Sequence, residues 1–339
     1  MIDKKIKVFE AFSGYGSQAL ALERLRKDYP KFDFEVVGIS DIEENAITVY
    51  NAIHGPTHNY GDISKINWDE VPDFDLFTYS FPCTDISSMG KQEGFTEGSG
   101  TRSSLLWECY RTITTKKPKY LLMENVKALT YEQNLPEFNR WIKTLEDLGY
   151  SNFYKVLNSL DYGVPQHRER VFMVSVLDKN YQYSFPGKIP LRKTLKDIME
   201  DEVPDRCWVY PDEKGVYSRK RINEMLDGDP PVIDLSKTQW IDLYSWRAFN
   251  DHSCTLTTRC YEAANMFFTD KGHLRRPTER ECFRLMGIDD DTITKMLSTN
   301  LHPHAYYRMA GNSIVVDVMY YIFKKLFVDE YVPEEMSLF

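Results

Sequence analysis

Short apolar runs separated by amphipathic stretches fill the first half of the chain, the pattern of strands alternating with helices. The runs predict strands over Lys7–Phe12, Glu35–Ser40, Asp75–Ser80, Tyr120–Glu124 and Arg170–Val176. Between the second and third, Ala46, Val49, Tyr50 and Ile53 recur at the i, i+3, i+4, i+7 spacing of one buried helix face. Leu135, Phe138, Ile142 and Leu145 make a second such face, with Gly149 as the helix stop. Together they predict an α/β fold: a doubly wound, parallel sheet with helices on its faces and ligands at the carboxyl ends of its strands. From about Asp178 the periodicity breaks up. Prolines at 186, 190, 204, 211, 230 and 231, set among polar turns, predict a smaller, irregular second domain or large insertion. Regular order returns with Val315, Val318, Met319, Ile322 and Leu326, an apolar helical stripe that needs a partner surface, which the first domain's sheet can supply.

A length of 339 residues suits one large domain plus a smaller one, and 42% apolar with 27% charged residues is ordinary for a globular protein. The net charge of −9 argues against a nucleic-acid partner, but its distribution softens the objection. Residues 166–280 hold 19 Lys+Arg against 18 Asp+Glu, so the negative excess lies elsewhere. Basic residues cluster at Arg168/Arg170, Arg219/Lys220/Arg221 and Arg275/Arg276, each cluster readable as a solvated face or as a cation patch. The six cysteines show neither a CxxC pair nor zinc-ligand spacing, which points to reduced thiols in a cytoplasmic protein and to no metal. The apolar stretch Ile6 to Phe12 is too short and too early for a signal peptide, and no run approaches a membrane span.

Candidate chemistry gathers at the predicted strand ends. The first strand enters Phe12-Ser13-Gly14-Tyr15-Gly16, a glycine turn that either cradles a nucleotide-like ligand or is simply tight. Asp41 ends the second strand, placed to accept from a ribose, and Asp62 follows in Gly61-Asp62-Ile63. Singly, each acid reads as a turn or cap; three such features in order favour a nucleoside cofactor. Ser80-Phe81-Pro82-Cys83 follows the third strand, with Cys83 either a packed thiol or a nucleophile. Glu124-Asn125-Val126 ends the fourth strand, and Gln166-His167-Arg168-Glu169-Arg170 places two arginines on one face at the entry to the fifth.

In this order the blocks resemble the DNA (cytosine-5) methyltransferase family, most closely its short bacterial restriction–modification members. Arg276-Pro277-Thr278-Glu279-Arg280-Glu281-Cys282, Leu285-Met286-Gly287, and Gly311-Asn312-Ser313 opening the last helix continue the match. The chain departs from the family's pattern at Ser17, Ile42 and Thr84-Asp85-Ile86-Ser87. The resemblance implies a Rossmann-like methyltransferase domain over 1–185 plus 303–339 and a target-recognition domain over 186–302. It implies that Cys83 adds to a flipped-out cytosine while Glu124 holds the base's N3/N4 edge, with Arg170 orienting Glu124 or the base and Arg168 a phosphate. S-adenosylmethionine, leaving as S-adenosylhomocysteine, would lie against Phe12, Gly14, Gly16, Asp41, Ile42, Asp62, Ile63, Pro82, Asn312 and Ser313. DNA contacts would come from Ser87, Gln166, Arg168, Thr255 and Leu256. The implied partner is duplex DNA, with a cognate restriction endonuclease acting independently of a monomeric enzyme. Rival readings are a tRNA cytosine-5 methyltransferase, an inactive DNA-binding homologue, and a nicotinamide dehydrogenase that would leave Cys83 and Glu124 without a role.

Overall fold

The computed structural model describes residues 5–82, 105–191, 193–209, 219–258, 260 and 266–329. Contacts divide the chain into two compact units, residues 1–157, 169–187 and 318–339 in the first, and 158–168 and 188–317 in the second. Compactness thus groups 158–168 and 303–317 with the second unit, although the resemblance assigns them to the catalytic domain.

The first unit is built on a six-stranded sheet of order β2-β1-β3-β4-β6-β5. Its strands are β1 (Ile6–Ala11), β2 (Phe34–Ser40), β3 (Leu76–Tyr79), β4 (Tyr120–Val126), β5 (Ser151–Asn158) and β6 (Glu169–Val176). β1 pairs in parallel with β2 and β3, and β3 with β4. Every residue of β3, and Tyr120 to Asn125 of β4, is buried, as strands covered on both faces must be. The α/β expectation holds, but the fifth predicted strand, β6, runs antiparallel to β4, with Val126 opposite Arg170. Its reversal has a simple cause: no α-helix separates β5 from β6, so the chain turns straight back.

Helices α1 (Ser17–Asp28), α2 (Glu44–His54), α3 (Leu106–Lys116) and α4 (Leu135–Asp147) complete the predicted alternation. On α2, Ala46, Val49 and Tyr50 are buried and Ile53 half-buried; on α4, Phe138 and Leu145 are buried, Leu135 and Ile142 half-buried. The core is strongly aromatic, with the Phe9 ring 5.2 Å from Trp68 and 5.3 Å from Phe74, and Phe77 5.2 Å from Tyr79. The terminal stripe forms α10 (Val316–Phe327), whose Phe327 meets Tyr120 of β4 at 5.2 Å and Phe32 at 5.6 Å. The sheet is therefore the surface that this helix needed.

The second unit is more regular than its proline content suggests. It holds an antiparallel sheet of order β10-β9-β7-β8, made of β7 (Trp240–Asp242), β8 (Arg247–Phe249), β9 (Met266–Asp270) and β10 (His273–Arg275). Ile222, Met225, Ile233, Ile241, Leu243, Phe267 and Leu274 pack into its core. Its helices are α5 (Leu195–Ile198), α6 (Arg219–Asp227), α7 (Glu279–Arg284), α8 (Asp290–Leu297) and α9 (Pro303–Asn312). Gly311 to Ser313 accordingly close α9 instead of opening the last helix, which starts at Val316. Arg275, read from sequence as part of a surface cluster, is fully buried. Its Nη atoms donate to Glu281 at 2.8 and 2.7 Å and its Nε to Asp270 at 2.7 Å. The Thr278–Glu281 capping box that starts α7 uses the same carboxylate.

Candidate active site

The turn after β1 is shaped by backbone geometry. Phe12 sits at φ +55°, unusual for a residue with a side chain, and Gly14 and Gly16 at +57° and +84°. A Cβ on Gly16 would lie 2.4 Å from His54 Nε2 and 2.6 Å from Tyr50 of α2, so only glycine allows the turn to rest on that helix. At Gly14 the space is open, as close approach of a ligand requires. Asp41, just past β2, accepts from the Gly14 amide at 2.7 Å and from the Glu43 amide at 2.9 Å. Burial pushes its carboxyl up, and the amides of Glu43, Gly14 and Ile42 pull it back. Asn59, absent from the sequence reading, locks this strand end by bonding both the amide and the carbonyl of Asp41. The neighbouring Ile42 is 71% exposed, an apolar side chain standing beside a polar turn.

Asp62 caps a short 3-10 turn, accepting from the Ser64 amide at 3.0 Å and hydroxyl at 2.8 Å, which hold its carboxyl below the usual range. Ile63 is buried in the aromatic core, so its side chain serves packing and only its backbone remains for a ligand. Glu124, near the end of β4, is buried except for 8% and lies 3.3 Å from Arg170 Nε. Asn125 donates to the Phe81 carbonyl at 3.0 Å, tying this strand end to the Phe81-Pro82 turn. Cys83 and Ser87 lie outside the described residues.

The two arginines that sequence placed on one face have different tasks. Arg168 belongs to the second unit and is 3% exposed; its Nη atoms donate to the carbonyls of Leu256 at 3.0 Å, Gly311 at 2.8 Å and Ser313 at 2.6 Å. Arg168, expected at a DNA phosphate, is here a buried guanidinium bonded to carbonyls, the arrangement of a structural brace. Gln166, also expected at DNA, is fully buried, donating to the Leu285 carbonyl at 2.7 Å and accepting from the Leu256 amide at 3.0 Å. Leu256 is buried too, and Thr255 donates to the His167 carbonyl at 2.7 Å. All four thus bind one another's segment, and Gly311 joins them, since a Cβ there would meet Thr257 and Thr258 backbone at 2.4 Å. Asn312 is exposed and Ser313 half-buried at this junction.

Glu10 escaped the sequence reading, although an acid between Phe9 and Ala11 in a buried strand is itself a signal. It is fully buried and accepts from the Tyr50 hydroxyl at 2.6 Å. Burial raises its pKa from 4.5 to about 7, which the Tyr50 hydroxyl and the Ala19 amide offset only in part. Because the folded-state value is the higher one, its contribution to stability is complete below pH 4.5 and is lost as pH rises through about 7. Urea unfolding should show wild type losing up to about 3 kcal/mol across that window relative to Glu10→Gln. Parallel pH profiles for the two proteins would show that the carboxyl ionises normally.

The profile of the family described as C-5 cytosine-specific DNA methylase matches residues 6–328. The chain is 35% identical to the type II methyltransferase M2.ScrFI of Lactococcus lactis subsp. cremoris, over 95% of this chain and 99% of that protein. It is 31% identical to the type II methyltransferase M.HhaI of Haemophilus parahaemolyticus, over 94% and 93%. Among solved structures, Entamoeba histolytica methyltransferase EhMeth aligns with a TM-score of 0.73 at 17% identity, over 97% of this chain and 100% of that one. S. pombe Dnmt2 methyltransferase aligns at 0.67 and 21%, over 94% and 97%; both likenesses speak to the fold. The chain therefore belongs to the C-5 cytosine-specific DNA methylase family and is a DNA (cytosine-5) methyltransferase, similar to the type II enzymes of restriction–modification systems.

Proposed function

We propose that this enzyme methylates carbon 5 of a cytosine flipped out of a specific duplex sequence, through a transient covalent bond from Cys83. The observation that carries the reading is the Glu124–Arg170 pair at the end of β4, with Asn125 holding the carbonyl of Phe81, two residues before Cys83. A stacked base hides its carbon 6, so the cytosine must leave the helix. The Cys83 thiolate then adds to carbon 6, and Glu124 gives a proton to N3, where the displaced electron pair arrives. Arg170 keeps the Glu124 carboxyl aimed at that edge. S-adenosylmethionine, the family's donor, supplies an electrophilic methyl group that the enriched carbon 5 takes up. A water molecule takes the carbon 5 proton, the freed electron pair re-forms the carbon 5–carbon 6 double bond and expels Cys83 as thiolate, and N3 returns its proton to Glu124, which restores the aromatic ring.

Supporting this donor are an open Gly14, an exposed Ile42 to meet the adenine, and the Asp41 carboxylate beside Gly14 to accept from the ribose hydroxyls. Phe12, Gly16, Asp62, the Ile63 backbone and Pro82 complete that wall. Asp62→Ala should weaken S-adenosylmethionine binding by roughly 1–3 kcal/mol, the worth of a hydrogen bond to a charged group. Calorimetry giving unchanged affinity in the folded variant would remove Asp62 from the site. Residues 186–302 serve target recognition, and the enzyme works as a cytoplasmic monomer whose cognate endonuclease, where one exists, acts separately.

Bisulfite sequencing of DNA from cells expressing the protein tests the activity and returns its motif. A duplex with 5-fluorocytosine at that motif should then trap the enzyme, because fluorine cannot leave as the proton does. The adduct should require S-adenosylmethionine, survive denaturing electrophoresis and map to Cys83. A trap on Cys109 or Cys282, or methylation of tRNA with duplex DNA untouched, would overturn the proposal.

A further inference from the structure

The β7–β8 hairpin ends in a tip whose side chains are arranged unlike those of an ordinary solvent turn. Asp242 and Arg247 face each other at its base, and residues 243–246 connect them. Leu243 is fully buried and anchors the turn in the core of the second unit. Asp242 spends its carboxylate inside the turn, accepting from the Tyr244 amide at 3.0 Å and the Ser245 hydroxyl at 2.6 Å. Arg221 of α6 donates to the Leu243 carbonyl at 2.7 Å and lies over the Trp246 ring, 4.7 Å from its centre. Trp246 adopts φ +57°, a left-handed conformation that costs a tryptophan energy and persists only where its surroundings enforce it. The result is a braced tip with Tyr244 72% and Trp246 41% exposed. Beside them stand the Arg221 guanidinium and the exposed Arg247.

We infer that this tip is a DNA-reading element, with Tyr244 and Trp246 against the bases and Arg221 and Arg247 on the phosphates beside them. The inference rests on the proposed methylation of duplex DNA and goes beyond it by naming the residues that select the site. Exposed Tyr244 and Trp246 beside guanidinium groups suit a duplex groove, where the Tyr244 hydroxyl, the Trp246 indole N–H and their apolar rings can meet base edges while the guanidiniums take the flanking phosphates. The turn's own carboxylate, on Asp242, is buried and turned inward, and the two guanidiniums of Arg221 and Arg247 outnumber it at the tip. Bracing matters because a rigid tip gives up little entropy on binding.

The experiment uses the full chain and a duplex carrying the motif found by bisulfite sequencing. Tyr244→Ala, at the most exposed position, and Tyr244→Ala/Trp246→Ala should weaken binding to that duplex roughly 10- to 100-fold, the loss of base-edge contacts in a groove, with S-adenosylmethionine affinity unchanged. Arg247→Ala should reduce the salt dependence of binding by about one phosphate's worth, uniformly across sequences. Should wild type methylate DNA while Tyr244→Ala binds and methylates the same motif as well as wild type, the inference fails and the proposed activity stands. Should wild type leave duplex DNA unmethylated, both fall. Loss of S-adenosylmethionine affinity in Tyr244→Ala would mark the tip as structural and also overturn the inference.

Discussion

Glu124→Gln is expected to bind its duplex and S-adenosylmethionine normally while methylating about 100- to 10,000-fold more slowly. Glutamine keeps the size of the side chain and an oxygen that Arg170 Nε, now 3.3 Å from Glu124 Oε1, can still reach. What it lacks is a proton to give to N3 when the thiolate adds at carbon 6. The loss should appear in single-turnover rate and in the yield of 5-fluorocytosine adduct, not in affinity, because the missing interaction strengthens only as charge develops on the ring. Arg170→Gln provides the companion measurement. It leaves the carboxyl in place but removes its guanidinium partner, so it should slow turnover less than Glu124→Gln does. Wild-type single-turnover rates in folded Glu124→Gln would remove Glu124 as the proton donor.

Arg275→Met should destabilise the protein by about 3–5 kcal/mol, since it strands a carboxylate in an interior that excludes water. Glu281 and Arg275 are both fully buried, joined by contacts of 2.7 and 2.8 Å. The Glu281 carboxylate also accepts the amides of Thr278 and Glu200, each at 2.8 Å, so one ion pair holds a strand, a helix cap and a loop together. Urea unfolding followed by tryptophan fluorescence reads the change. Arg275→Met/Glu281→Leu should recover part of it, because an apolar pair no longer leaves a buried charge unmatched. A single variant as stable as wild type would mean that water reaches Glu281.

The amino-acid sequence alone determined the strands β1 to β4 and β6, and the helices α2, α4 and α10. A strand buried on both faces must be apolar throughout, and a helix on a sheet must carry a periodic stripe, so local pattern encodes burial directly. The order of the motif blocks likewise identified the family and placed Glu124 at a strand end. Only the tertiary structure decided what burial is against. The edge strand β5 escaped notice because, of its residues, only Leu157 is buried, which leaves no pattern to read. The direction of β6 follows from a missing crossover helix, and nothing within its apolar run reports on that. Arg168 and Arg170 look equivalent as letters two residues apart, yet one braces buried carbonyls and the other stands by Glu124. Arg275 reads as a surface cation beside Arg276, and becomes a core residue because Glu281, a turn away on α7, neutralises it. A charged residue's role depends on which partner the fold brings to it, and that partner is seldom its neighbour in sequence.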